Sequence, residues 1–214
     1  MMLKVDHISY QFGSKNVVGP LSFTLPQGEH LLIVGPSGCG KTTLLHLLCG
    51  LLAPQQGSIM YGESVINHLS AGELDHFRSR SMGIIFQVFH LIKALTVEQN
   101  MLLAQSLAGF EPAKEPIHTL LASLGLSQEA KHAYHELSVG QAQRVAIARA
   151  LINSPQWILA DEPTSSLDDE NAHITIGLLL QHAKEYHASL VVVTHDQRIK
   201  NHFTTILDLS KSEA

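Results

Sequence analysis

Two stretches of the chain carry residue types whose spacing could act on a phosphoryl group. The first is GPSGCGKT, Gly35 to Thr42, which fits G-x-x-x-x-G-K-[ST]. Glycines let the backbone curl until successive N–H groups converge on phosphate oxygens, and a helix N-terminus behind them adds partial positive charge. In such a loop Lys41 reaches the β- and γ-phosphates, and Thr42 offers its hydroxyl to Mg²⁺. The second stretch is WILADEP, Trp157 to Pro163. An apolar strand that delivers Asp161 and Glu162 at its C-terminal end puts two carboxylates where ligands bind in open α/β sheets. Asp161 would hold Mg²⁺ through water, and Glu162 would polarise an attacking water. An Asp-Glu turn after a strand is common by itself; beside a phosphate loop it reads as the other half of one site.

Both stretches need strands to carry them. His30 to Val34 is a short apolar run leading straight into the glycines, and Lys41 to Leu52 supplies helix formers with leucines on most faces. That pattern predicts a buried strand, a loop and a largely buried helix. Upstream, the alternation of Leu3, Val5, Ile8, Tyr10 and Phe12, and then Ser22 to Leu25, predicts two strands of an antiparallel edge, closed by the turn at Pro26-Gln27-Gly28. From about 88 to 150 the patterning is helical, with loop signals at Gly109 to Pro116 and Gly125 to Ser127. Strand patterns return at Trp157 to Ala160, Ser189 to Val193 and Thr205 to Leu207, with helices around Glu170 to Tyr186 and Asp196 to Lys200 between them. The expected fold is α/β: a phosphate-loop NTPase core with a mainly parallel sheet, helices on both faces, an N-terminal antiparallel β edge and a helical insert. Residues 1–214 are read as one domain, with 1–87 and 151–214 forming the core and about 88–150 the insert.

A third motif lies between the first two: LSVGQAQRVAIARAL, Leu137 to Leu151. Here the sequence strongly resembles the ATP-binding subunit of ABC transporters, whose signature is LSGGQ followed by an arginine-bearing helix. The resemblance covers nearly the whole chain, because the other family motifs fall in order. Gln87, in GIIFQ, sits at the Q-loop glutamine, Ser166-Leu167-Asp168 matches the D-loop, and His195, in VVVTHD, matches the switch histidine. Phe12, just before Gly13, occupies the place of an aromatic that stacks on adenine. The resemblance implies ATP and Mg²⁺ as cofactors and assigns Glu162, His195 and Gln87 to catalysis, with Thr42, Gln87 and Asp161 around the metal. It assigns nucleotide contacts to Phe12, Gly35, Pro36, Ser37, Gly38, Cys39, Gly40, Lys41, Thr42, Thr43, Ser138, Val139, Gly140, Gln141 and Asp168. Val139 departs from the family by replacing the first glycine of LSGGQ, and Ser165 stands where relatives often carry Gly or Ala. IIFQVFHLIKALTVEQN and LADEPTSSLD look most like the branch serving lipoprotein release, macrolide-type export and the cell-division pair. The family works as a homodimer that sandwiches two ATP and drives integral membrane permease subunits. The apolar Phe89 to Leu95 is the expected docking surface for that partner. An ATPase that transmits force or a signal through a membrane partner, as cell-division members do, is the alternative output.

Composition agrees with this class and excludes others. The chain has 214 residues, 45% of them hydrophobic and 15% charged, enough to bury a sizeable core and unlike a disordered chain. With 14 Lys+Arg against 19 Asp+Glu, the formal charge of -5 argues against nucleic acid as a partner. The 14 His show no metal-ligand spacing, and two cysteines, Cys39 and Cys49, are too few for a disulfide framework. There is no apolar signal-peptide core and no run of 18 apolar residues. The chain is therefore expected to be cytosolic or held at a membrane by something else, and the resemblance implies the cytoplasmic face of the inner membrane, through the partner.

Overall fold

The computed structural model describes residues 1–165 and 167–211. Strands β1 (Met2–Phe12) and β2 (Lys15–Pro26) form a hairpin that turns at Gly13, and β3 (Leu31–Val34) leads into the phosphate loop and helix α1 (Lys41–Leu48). Then follow β4 (Gln56–Tyr61), β5 (Ser64–Val65), α2 (Ala71–Ser81), β6 (Met82–Ile85), α3 (Val97–Leu107), α4 (Lys114–Ser123) and α5 (Val139–Leu151). The chain continues through β7 (Trp157–Asp161), α6 (Asp169–Glu185), β8 (Ser189–Thr194) and β9 (Thr205–Asp208). One sheet is antiparallel in the order β2-β1-β4-β5; the other is parallel in the order β6-β7-β8-β3-β9.

The parallel sheet is buried on both faces, so its strands read as unbroken apolar runs instead of alternating ones. Alternate residues still go to different cores. Leu31, Ile33, Leu159, Val191 and Val193 join α1 and the antiparallel sheet in one cluster. Leu32, Val34, Ile158, Ala160, Leu190 and Val192 join α3 to α6 in the other. Trp157 anchors the first cluster, meeting the Tyr61 ring edge-on at 4.9 Å, and Tyr61 donates its hydroxyl proton to the Leu48 carbonyl at 2.8 Å. That bond ties the antiparallel sheet to the end of α1.

The structure departs from the sequence expectation in several places. Helix α1 stops at Leu48, four residues earlier than expected, because Gly50 takes the left-handed φ of +67° that turns the chain away. Strands β4, β5 and β6 and helix α2 carry no pattern that predicts them. Helix α2 has no fully buried residue and rests on the core only through the half-buried Leu74 and Phe77; its start is set by a capping box between Ser70 and Glu73. Strand β6 is four residues long and includes Gly83, where a Cβ would strike the Ala150 carbonyl of α5. No helix among the described residues is long and apolar enough to cross a membrane.

Candidate functional site

Strand order decides what meets at the edge of the parallel sheet. Strand β8 lies between β7 and β3, with Asp161 paired to Val193 and Val34 paired to Thr194. Three strand ends therefore release their loops side by side: Asp161-Glu162 from β7, His195 from β8 and Gly35 onward from β3.

The phosphate loop curls because its glycines adopt conformations closed to other residues. Gly38 and Gly40 have φ of +78° and +95°, and a Cβ on Gly40 would strike the Val17 carbonyl of β2. Gly40 is also the N-cap of α1 and offers no side-chain acceptor, so the first N–H groups of the helix have no side-chain cap. Cys39 Sγ lies 2.5 Å from the point where a Gly35 Cβ would stand, which keeps that position a glycine. Lys41 is buried and donates to the carbonyls of Gly35 at 2.9 Å and Pro36 at 3.0 Å, with Glu162 Oε1 3.9 Å from its ammonium. The lysine thus bridges the mouth of its own loop.

Thr42 Oγ1 donates to Asp161 Oδ1 at 3.2 Å. Burial pushes the Asp161 carboxyl above its ordinary range, and the Thr42 hydroxyl acts against that shift. Glu162 holds a left-handed φ of +48°, rare for a residue with a side chain, and its N–H is anchored on the Val193 carbonyl at 2.8 Å. Its carboxylate accepts from Thr194 Oγ1 at 2.7 Å and from the His195 N–H at 3.1 Å, and it sits 2.8 Å from His195 Nδ1. A carboxylate only accepts, so Nδ1 carries the proton in that contact.

A cavity of about 290 Å³ is lined by Val17, Ser37, Gly38, Gly40, Lys41, Thr42, Thr43, Gln87, Glu162 and His195. Sequence reasoning singles out all of these except Val17, which reaches the cavity only because Gly40 packs against it. Thr194, which orients Glu162, was also missed; its one signal is a hydroxyl directly before His195.

Other expected residues lie away from the cavity. Phe12 is 76% exposed at the end of β1, free of the core that holds Tyr10. Ser138 is the N-cap of α5 and exchanges capping-box hydrogen bonds with Gln141. Val139 opens the helix without a positive φ and is 61% exposed, and a Cβ on Gly140 would meet open space. Asp168 caps α6, and the Asn171 N–H on its carboxylate lowers its pKa. Ser166 is outside the described residues.

The expected docking run is exposed only in part. Leu91 is buried and Phe89 packs on the helical core, because Arg149 draws the carbonyls of Phe89 and His90 inward. Of the large apolar side chains at that end, Val88 and Ile92 stand exposed. A neighbouring cleft of about 500 Å³ is lined by Leu51, Ile84, Phe86, Leu107, Arg78 and Arg149 among others.

Thr42 and Asp161 offer two oxygens to a hard cation and leave its remaining positions to phosphate and water, a donor set that fits Mg²⁺. Among the described residues no three His, Cys, Asp or Glu side chains converge as a metal cage.

The family model described as "ABC transporter" matches residues 18–165. The chain is 40% identical to a lipoprotein-releasing system ATP-binding protein LolD of Idiomarina loihiensis, over 89% of this chain and 86% of that one. It is 39% identical to the ABC transporter ATP-binding protein YtrE of Bacillus subtilis, over 92% and 90%. Among solved structures, the dimeric ATP-binding cassette MJ0796 bound to ADP and Pi superposes with a TM-score of 0.87 at 32% identity, covering 96% of this chain and 93% of that one.

The site also makes a pH prediction. Beside His195, the Arg198 guanidinium holds the Asp196 carboxyl at about 2 against an ordinary 3.8. A lowered pKa contributes stability that is complete above the ordinary value and is lost as pH falls toward 2. Asp196→Asn should therefore be less stable than the parent at pH 7, by about 2 kcal/mol, with the gap closing near pH 2. Urea unfolding at the two pH values checks it.

Proposed function

The chain belongs to the ABC transporter family, and on that premise we propose that it binds and hydrolyses ATP between two copies of itself and passes the motion to separate membrane subunits. In this reading each ATP lies between the phosphate loop of one copy and the turn from Ser138 to Gln141 of the other. The observation that carries it is the meeting of Lys41, the Thr42–Asp161 pair, and Glu162 with His195 around one cavity.

Lys41 exchanges the carbonyls of Gly35 and Pro36 for phosphate oxygens, a charge-assisted contact stronger than the one it leaves. The loop N–H groups and the uncapped start of α1 take the remaining phosphate charge. Thr42 and Asp161 hold Mg²⁺, with Gln87 facing the same cavity; the ion supplies positive charge against the transferring phosphoryl group. Glu162 accepts the proton of the attacking water while the water oxygen bonds to the γ-phosphorus and the bond to the β-bridging oxygen breaks. His195, its Nδ1 proton directed at Glu162, keeps that carboxylate facing the cavity. Phe12, exposed on its strand end, stacks on the adenine. From the partner copy, the Ser138 hydroxyl and the N–H groups at the start of α5 reach the γ-phosphate, and Val139 turns its side chain outward. Asp168 borders the same interface.

The membrane subunits dock in the cleft beside Gln87, where Leu51 and Leu107 are exposed next to Phe86. An amphipathic helix laid into that cleft would press on the segment that carries Gln87. Lipoprotein release is the output favoured by the similarity to lipoprotein-releasing LolD proteins, and transmission of force without a cargo is the second reading.

Two outcomes test the proposal. Glu162→Gln should bind ATP yet lose about 10²- to 10⁴-fold in hydrolysis rate, and size-exclusion chromatography with ATP and Mg²⁺ should show a persistent dimer; a wild-type rate would remove Glu162 as the base. Leu107→Glu, at a site 73% exposed, should keep its fold and its basal ATPase rate while washing off membranes that retain the wild-type chain. Retention equal to wild type moves the docking surface elsewhere.

A further inference from the structure

Glu162 and His195 rest on a layer of contacts to which none of the motifs assigns a role. Thr194 Oγ1, which donates to Glu162, accepts from the Asp196 N–H at 2.9 Å. The buried Asp196 carboxylate also accepts from Thr164 Oγ1 at 2.8 Å. Arg198 closes the set. Its Nε and Nη2 donate to the two Asp196 oxygens at 2.8 and 2.7 Å. Nη1 donates to the Leu167 carbonyl at 3.2 Å and to Asp169 Oδ1 at 2.6 Å, and Nη2 also reaches the Thr164 carbonyl at 3.5 Å.

A guanidinium has five N–H donors, and here each has an acceptor. Two acceptors are on Asp196, beside His195. The other three lie between Thr164 and Asp169, in the turn that leaves Glu162 and ends at the α6 cap. A local turn would need only the Arg198 backbone N–H on Asp196 Oδ1, at 3.0 Å, which any residue but proline can supply. The side chain does something else: it binds two segments that leave neighbouring strands. Glu162 stands where the first segment begins, in a left-handed backbone that only its surroundings can hold.

The geometry points to Arg198 as a positioning residue: its guanidinium joins Thr164, Leu167 and Asp169 to the 194–196 turn and, through Asp196 and Thr194, holds the Glu162 carboxylate against His195. The inference rests on the reading of Glu162 as the base. Arg198 lines no part of the phosphate cavity, so it acts on turnover and leaves nucleotide binding alone. Lysine keeps the charge but lacks the fork, so it cannot bridge both turns.

The test is steady-state ATP hydrolysis by the full chain as wild type, Arg198→Met, Arg198→Lys, Glu162→Gln and the double variant Arg198→Met/Glu162→Gln, with an unfolding midpoint for each. Misplacing a reacting group is expected to lower kcat of Arg198→Met by about tenfold or more while KM stays within about twofold. Arg198→Lys should recover only part of that loss. The double variant should be no slower than Glu162→Gln alone, because the group being positioned no longer acts as a base. A wild-type kcat in Arg198→Met overturns the inference, and so does a further large loss in the double variant, which would mean that Arg198 supports the fold generally. If Arg198→Met does not fold, Arg198→Lys decides: reduced kcat at unchanged KM supports the inference, and full activity overturns it. A wild-type chain that hydrolyses no ATP overturns the reading of the site and this inference together, whereas an active wild type with an unaffected Arg198→Met overturns the inference alone.

Discussion

The hydrogen-bond register of three parallel strands is the constraint on which the site depends. Because β8 is paired on one side with β7 and on the other with β3, their ends cannot drift apart without breaking the ladder through the middle of the sheet. Each strand is buried on both faces, so a slip of one residue would exchange the two cores as well. The loops that carry Lys41, Glu162 and His195 inherit that rigidity. Gly38 and Gly40 take positive φ without strain, whereas the positive φ of Glu162 is costly and persists because the sheet edge leaves no alternative.

Polar groups buried at this edge are paired in a way that leaves exchange possible. Lys41 is satisfied by two backbone carbonyls, and Asp161 by a single hydroxyl beside it, so neither is locked to an opposite charge at hydrogen-bond distance. Those contacts can be traded for phosphate and a cation at little cost in unsatisfied groups. Glu162, by contrast, accepts three contacts at 3.1 Å or less, and its orientation is set before any ligand arrives. Helix α5 reaches the same region from the other side, since Gln143 donates its amide to the Pro163 carbonyl just after Glu162. A displacement of α5 would therefore be felt one peptide away from Glu162.

Much of this was legible in the residues, and what was not has physical causes. The phosphate loop and the Asp161-Glu162 strand were readable because their chemistry needs fixed residue types at fixed spacing between a strand and a helix. The buried strands β3, β7 and β8 were readable as apolar runs. Helix α2 was not, because only Leu74 and Phe77 rest on the core and two half-buried residues make too short a trace; β6 was hidden by its brevity and its glycine. Phe89 and Leu91 looked like a docking surface because apolar side chains at an insert boundary do not reveal which way they face, and the Arg149 side chain that draws them inward comes some 60 residues later in the chain. Val17 and Thr194 reach the site only through packing and the neighbouring strand.

In the proposed function the loop after β3 is a phosphate site whose affinity comes from Lys41 and the N–H groups around it. The most direct measurement is calorimetric titration of ATP with Mg²⁺ into the wild-type chain and into Lys41→Ala. The wild type should bind saturably, and Lys41→Ala should lose about tenfold or more in affinity, the scale of one charge-assisted contact. Equal affinity in the two proteins would contradict that reading.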